Sequence, residues 1–317
     1  MDNWIISQLN STEDYPNPQY AFNSTVNWIR ALRMQSESIT DESLSEFYNK
    51  RMSINGNAEY TNKSIASIYS SLTYLRSLSS LSGHNDKSLN SINAHLAIVA
   101  WYYCIYNSCK AMIACFNSSY QENHTSTAKA FHELSKQGLL MHPFGFRICD
   151  LTKCSVKSAI SEYSESYNGK TLASDYYPTS VESALNCTLS YLKGTADYLT
   201  WQTEERLKKD RGYENFRTKE AQQARDQSLA KKKVNFLHQA FRYRGKANYR
   251  DCIYLIANAE DQRLEDFIAD LEYVAHKFFA MSAFYVSKKV DNEIWTEFIN
   301  SFEMDVTNYF FTEKGQK

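Results

Sequence analysis

Glycine and proline are scarce, nine and four among 317 residues. Sheet proteins of this length need many tight turns, and tight turns draw on those two residues. The shortage argues against a turn-rich β fold and predicts long helices with few breaks. Long apolar runs are missing as well. The most apolar stretch, Leu96 to Tyr106, is about half of the ~20 residues that a membrane span requires. Met1 to Asn10 lacks the basic patch and apolar run of a secretory signal. The expectation is a cytoplasmic protein with no membrane partner.

Cysteine is too sparse for a disulfide framework, at seven. Cys104, Cys109 and Cys115 fall at spacings of five and six on one expected helix, which turns them away from one another. Cys149 and Cys154, taken with His142, lack the paired short spacing of zinc sites. The thiols are read as reduced, with no metal and no cofactor expected. Several catalytic strings are missing too. The chain has no Gly-rich phosphate loop, His-Glu-x-x-His, Cys-x-x-Cys or Gly-x-Ser-x-Gly. That argues against NTPases, zinc enzymes and serine hydrolases. The paired carboxylates Glu204/Glu205 and Glu265/Asp266 sit in charged segments and carry no specific signal.

What is present points to an all-α fold. Hydrophobic residues make up 43% and aromatics 14%, including 23 tyrosines, enough for a substantial core. Thr40 caps a helix through Arg51, with Asp41 and Glu42 in its first turn. Ile65, Ile68, Leu72, Leu75 and Leu78 recur at helical spacing as far as Gly83, and the serines among them read as a solvated face. Asp86 caps a longer helix whose expected buried stripe is Ile92, Leu96, Val99, Tyr103, Tyr106, Ile113 and Phe116. Polar residues 121–127 break it before a helix over 128–135. Residues 138–180, with most of the turn formers, read as irregular. Helical patterning returns after Pro178, and further helices are expected near 217–243, 246–258, 261–288 and 291–310. Leu264, Phe267, Leu271, Val274, Phe278 and Met281 form one face of the third of these.

Charge is unevenly spread. Between Arg206 and Arg250 fourteen basic residues face four acidic ones, a balance of +10. From Asp251 to Lys317 six basic residues face thirteen acidic ones, a balance of −7. A basic segment attracts phosphate-bearing partners. It is equally a solvated face, or a surface on which the acidic end folds. Lys231, Lys232 and Lys233 read as solvated.

Two segments together resemble a known family. The first runs from His95 to Cys115, where Trp101, Tyr102, Tyr103 and Tyr106 lead into Lys110, Ala111 and Met112, followed by His124 and Phe131. The second is Phe241-Arg-Tyr-Arg-Gly-Lys-Ala-Asn-Tyr-Arg-Asp251, followed by a long amphipathic helix. In this order they are similar to the long helix and the arginine motif of HEPN domains. The resemblance spans roughly 90–290. It implies an N-terminal helical extension (1–85), a HEPN-like bundle (86–290) with an insertion at about 140–235, and a C-terminal helix (291–317). It also implies a dimer.

By that resemblance the protein is an RNA- or nucleotide-directed effector of a prokaryotic antiviral defence or toxin–antitoxin system, with metal-independent ribonuclease chemistry. In that chemistry an arginine steadies a phosphate while a nearby histidine moves the proton of a ribose 2′-hydroxyl. Arg244 matches the arginine. Five positions on, where the histidine would stand, is Tyr249, whose ordinary pKa near 10 makes it a weak base at neutral pH. Arg244 and Tyr249 are therefore the catalytic candidates, and Arg242, Lys246, Asn248 and Arg250 the phosphate-binding ones, with Tyr243 and Tyr249 placed to stack a base. Arg244 and Asn248 lie four apart, on one helix face.

Bland readings stand beside these. Arg244 is then a buried arginine paired with a carboxylate, and the basic helix end packs on acidic residues 261–272. His124 braces the helix that follows it, His95 and His132 are structural, and His238 is a remote substitute base. Two further functions stay open: a catalytically inactive bundle that binds a partner protein, and an adaptor subunit docking through 138–180.

Overall fold

The computed structural model describes residues 18–52, 61–82, 87–166, 177–246, 255, 262–264 and 266–301. Among them the chain forms eleven α-helices and no strand. These are α1 (Pro18–Ser36), α2 (Asp41–Asn49), α3 (Thr61–Leu81), α4 (Lys87–Asn117), α5 (His124–Lys136), α6 (Lys153–Ser166), α7 (Val181–Arg211), α8 (Lys219–Leu229), α9 (Phe236–Lys246), α10 (Phe267–Ser287) and α11 (Asn292–Asn300). Within the described residues no helix is long and apolar enough to cross a membrane.

Several ends are set where the side chains dictate. Thr40 accepts from Ser43 N at 3.2 Å and donates its own N–H to Ser43 Oγ at 2.8 Å, a closed capping box at the start of α2. Gly212, at φ 68°, ends α7 in the left-handed conformation that a side chain would disfavour.

The serines of α3 divide between two faces: Ser77 and Ser80 are solvated as expected, but Ser64, Ser67 and Ser71 are buried. Ser71 Oγ donates to the Cys104 carbonyl at 2.8 Å and lies 2.7 Å from Ser108 Oγ, and Ser64 Oγ donates to the Ala111 carbonyl at 3.2 Å. Small hydroxyl side chains let two helix backbones approach closely and satisfy their own polarity on the neighbour's carbonyls. The result is an antiparallel α3–α4 pair at the centre of the bundle.

The buried face of α4 also differs from the expected stripe. Ile98, Trp101, Tyr102, Ile105, Cys109 and Met112 are buried, while Ile92 and Leu96 are 45% and 50% exposed. Of the rest of that stripe, Val99, Tyr103 and Phe116 are half-buried and only Tyr106 and Ile113 lie inside. A helix apolar on all sides gives its periodicity nothing to choose between, so the neighbours choose.

Those neighbours include α1, within the first 85 residues. Trp28 lies in the core against Tyr191 of α7 (ring centroids 4.1 Å, stacked), Tyr243 of α9 (4.9 Å) and Trp101 of α4 (5.8 Å, edge to face). Opposite them, α10 buries the expected face, Leu264 of the preceding turn and Phe267, Leu271, Val274, Phe278 and Met281. Its Asp270, 3% exposed, receives Arg33 at 2.6 Å and Arg30 at 3.2 Å from α1.

Two stretches depart from expectation. The irregular segment contains α6, and the helix expected over 217–243 is divided. Val234 exchanges backbone hydrogen bonds with Ile148 (2.8 and 3.0 Å), and Asn235 then accepts from His238 N at 3.1 Å. The break lets Phe146, Ile148, Leu151, Ile160, Leu189, Leu192, Leu229 and Val234 close a second, smaller apolar cluster beside the main core. Of the helix expected at 246–258, residues 247–254 and 256–258 lie outside the described residues.

Candidate functional site

Arg244 is the last basic side chain but one on α9, and the helix aims it at α4. Its guanidinium lies over the rings of Tyr102 (4.8 Å), Phe241 (5.2 Å) and Tyr103 (5.6 Å), and it donates to the Tyr103 hydroxyl at 3.0 Å. Among the described residues no carboxylate meets it, and its Nε is buried without a partner. Within the described residues, rings and a hydroxyl hold it in place of the carboxylate expected from sequence.

His124 joins the same cluster. The polar stretch expected to break the chain over 121–127 ends early, because Asn123 caps α5 by accepting from Ser126 N at 2.9 Å, so α5 begins at His124. The imidazole then packs on Tyr106 (4.5 Å) and Phe241 (5.2 Å), and its Nδ1 lies 2.7 Å from the Tyr102 hydroxyl. Burial, the Arg244 charge and the Lys110 charge, in that order, hold its pKa below 6.5, so the ring is neutral at neutral pH. Burial pushes the Tyr102 phenol well above its usual range, so it stays protonated. Two tautomers satisfy the contact. Either Tyr102 donates to Nδ1, leaving Nε2 protonated, or Nδ1 donates to the phenol oxygen, leaving Nε2 free to accept.

Two turns along α4, Lys110 lies over Tyr106 (5.7 Å) and Tyr120 (4.3 Å). A hydrogen bond from Lys110, with its charge, pulls the Tyr120 phenol below its usual pKa. The site is thus an aromatic shelf carrying two cations and one neutral imidazole, open to solvent on one side. Phe241 at its rim is 43% exposed.

The other candidates scatter. Arg242 turns to the opposite flank of α9, over Tyr191 (5.3 Å) and Tyr198 (5.2 Å) of α7, 3.4 Å from Thr195 Oγ1. Lys246 donates to Ser24 Oγ of α1 at 2.8 Å and so faces the bundle, not Arg244. Tyr243, expected to stack a base, is 1% exposed and donates to the Thr25 carbonyl at 2.8 Å; three elements converge on it and leave no face free. Asn248, Tyr249 and Arg250 lie outside the described residues.

His238 is locked against Asn235 Oδ1 at 2.9 Å, and burial, the first cause, with His132 and Lys232 lowers its pKa to about 4. His132 and His142 are likewise lowered to about 4, chiefly by burial. His95 bonds its own helix at the Ile92 carbonyl. The described cysteines are free thiols, and no group of three or more His, Cys, Asp or Glu able to hold a metal occurs among the described residues.

Sequence reasoning singles out Arg244 but misses Tyr102 and Tyr103 as its seat, and it favours a bracing role for His124 over a catalytic one. The signal is thin. Tyr102, Tyr103 and Tyr106 stand together in sequence, yet an aromatic run on an apolar helix reads as core. Comparison with family models, with curated proteins and with solved structures finds no match.

Proposed function

We propose that the protein is an RNA- or nucleotide-directed effector of the HEPN type, acting in a prokaryotic defence or toxin–antitoxin setting, with Arg244 as its phosphate-binding group and His124 as its proton-transfer group. The observation that carries the reading is the guanidinium of Arg244 seated on Tyr102, Tyr103 and Phe241 with no carboxylate among the described residues to neutralise it. A half-buried cation held by rings keeps its charge for a ligand. Arginine presents paired N–H donors that match two phosphate oxygens.

His124 supplies what Tyr249 lacks, a basic ring nitrogen that is unprotonated at neutral pH. With Nδ1 donating to Tyr102, Nε2 accepts the proton of a ribose 2′-hydroxyl. The 2′-oxygen attacks phosphorus, the bond to the 5′-oxygen breaks, and the leaving oxygen takes a proton from water while the His124 imidazolium returns its own to solvent. The products are a 2′,3′-cyclic phosphate and a 5′-hydroxyl. Arg244 offsets the charge that grows on the non-bridging oxygens.

The test is incubation of the purified protein with total cellular RNA in EDTA, comparing wild type with Arg244→Ala, His124→Ala and Tyr249→Phe. Cleavage by wild type, abolished in the first two variants, is the expected result. Loss in Tyr249→Phe while His124→Ala still cuts would make the tyrosine the proton carrier. Intact RNA in every lane would leave a binding bundle that catalyses nothing.

A further inference from the structure

The flank of α9 away from Arg244 leads to a second aromatic and cationic surface. Arg242 lies over Tyr198, and Tyr198 is followed on the same face of α7 by Trp201, with ring centroids 5.9 Å apart. Trp201 is 56% exposed and Tyr198 37%. Trp201 forms one wall of a cleft of about 420 Å³, lined also by Leu199, Gln202, Thr203, Glu205, Arg206 and Lys232. The carboxylates nearby are engaged elsewhere: Glu205 holds Lys208 at 2.7 Å, and Glu204 lies 3.8 Å from Arg225. Arg206 and Lys232 have no acidic partner among the described residues. With Lys129 of α5 they form a cluster whose like charges, after burial, lower the pKa of Lys232.

Like charges converge from α5, α7 and the break before α9, beside a tryptophan that is 56% exposed. One kind of ligand answers both features, an anion that carries a flat ring. The cleft is open along its length and contributes one apolar residue, Leu199, beside the indole. A small molecule normally has most of its surface enclosed. A strand needs only a ring to stack on and cations along its backbone.

We infer that the surface running from Arg244 across Phe241 and Arg242 to Tyr198, Trp201, Arg206 and Lys232 is a track for single-stranded RNA. One base stacks on Trp201, and the adjoining phosphate lies between Arg206 and Lys232. The inference rests on the reading of Arg244 as a phosphate site and extends it, because the same strand would place its reacting phosphate there. The track recognises unpaired RNA because a duplex keeps its base faces hidden.

The test is fluorescence anisotropy of the full chain with a labelled, unstructured short RNA, titrated at several salt concentrations. Wild type is compared with Trp201→Ala, with Arg206→Ala/Lys232→Ala and with Arg244→Ala. Thermal melting checks that each variant is folded, and the three cleft positions lie outside the core. Removing one stacking platform predicts binding weaker by about five- to a hundred-fold in Trp201→Ala. The double variant is expected to flatten the slope of log K against log salt by about 0.7 for each phosphate that is no longer neutralised.

Binding that falls in Arg244→Ala yet is unchanged in the other two variants would overturn the track and leave the function at Arg244 standing. Binding that falls in Trp201→Ala and the double variant but not in Arg244→Ala would uphold the cleft as an RNA surface and sink the role of Arg244. Equal affinity for the same RNA as a duplex, or full competition by a mononucleotide at matched nucleotide concentration, would also overturn it.

Discussion

Two arginine sites in this bundle use the same side chain in opposite ways. On the α1–α10 face, Arg30 and Arg33 close on Asp270, a carboxylate 3% exposed. Burial raises the pKa of that carboxyl, and the two guanidiniums pull it back without fully reversing the shift. Charge is met by charge, and the product is attachment of one helix to another. On the α4–α9 face, Arg244 is met by three rings and by the hydroxyl of one of them, Tyr103. Rings hold a cation in place without cancelling it. The first site is closed by a carboxylate, whereas at the second no carboxylate among the described residues meets the cation.

The largest expected effect is at the complete site. Asp270→Asn leaves two guanidiniums facing a buried position with no countercharge. It should cost about 3 kcal/mol in urea unfolding, the low end of the usual range because both arginines keep some access to water. Arg244→Ala should reverse the pattern. RNA cleavage or binding should fall by about a hundred-fold or more, while stability falls by no more than about 1–2 kcal/mol, since the substitution removes only cation–ring attraction and one hydrogen bond. Equal stability losses in the two variants would erase the distinction.

Acid should test the core that both faces share. His132, His142 and His238 are held near pKa 4 in the fold, against about 6.5 in an unfolded chain. The unfolded state therefore takes up protons that the folded state refuses. Stability should be full above about pH 6.5 and be lost as pH falls toward 4, by up to about 1.4 kcal/mol per pH unit for each histidine. A flat melting temperature between pH 6.5 and 4.5 would contradict that. Tyr102→Phe removes the hydroxyl beside His124 and should cost about 1 kcal/mol, with a larger effect on activity than on melting. The smallest effect is a titration. In Arg244→Ala the His124 pKa should move up, read by NMR, whereas in Asp270→Asn it should stay where it is.

How far these sites can be read from sequence differs residue by residue. Arg244 stands out because the stretch Phe241–Asp251 resembles a known arginine motif, and such a resemblance is carried by residues adjacent in sequence. The cap at Thr40 and the apolar face of α10 are equally visible, being local chemistry and a single amphipathic period. Ser64, Ser67 and Ser71 of α3 mislead where Ser77 and Ser80 do not, because a buried serine that bonds a neighbour's carbonyl has the same sequence signature as a solvated one. The divided 217–243 segment is illegible for a similar reason. Its break depends on Val234 finding Ile148, some 86 residues earlier in the chain.

The residues by themselves determined that this chain is helical. Few glycines and prolines, many apolar side chains at helical spacing and capping residues at the right places are sufficient for that. They also determined where positive charge gathers. Only the tertiary structure decided which face of α4 is inside, because that helix is apolar all round and its partners select the orientation. By the same selection Tyr102, Tyr103 and Tyr106 became a seat for Arg244 and His124, which are 120 residues apart. No local pattern encodes a meeting of that kind; it exists only once α4, α5 and α9 have packed.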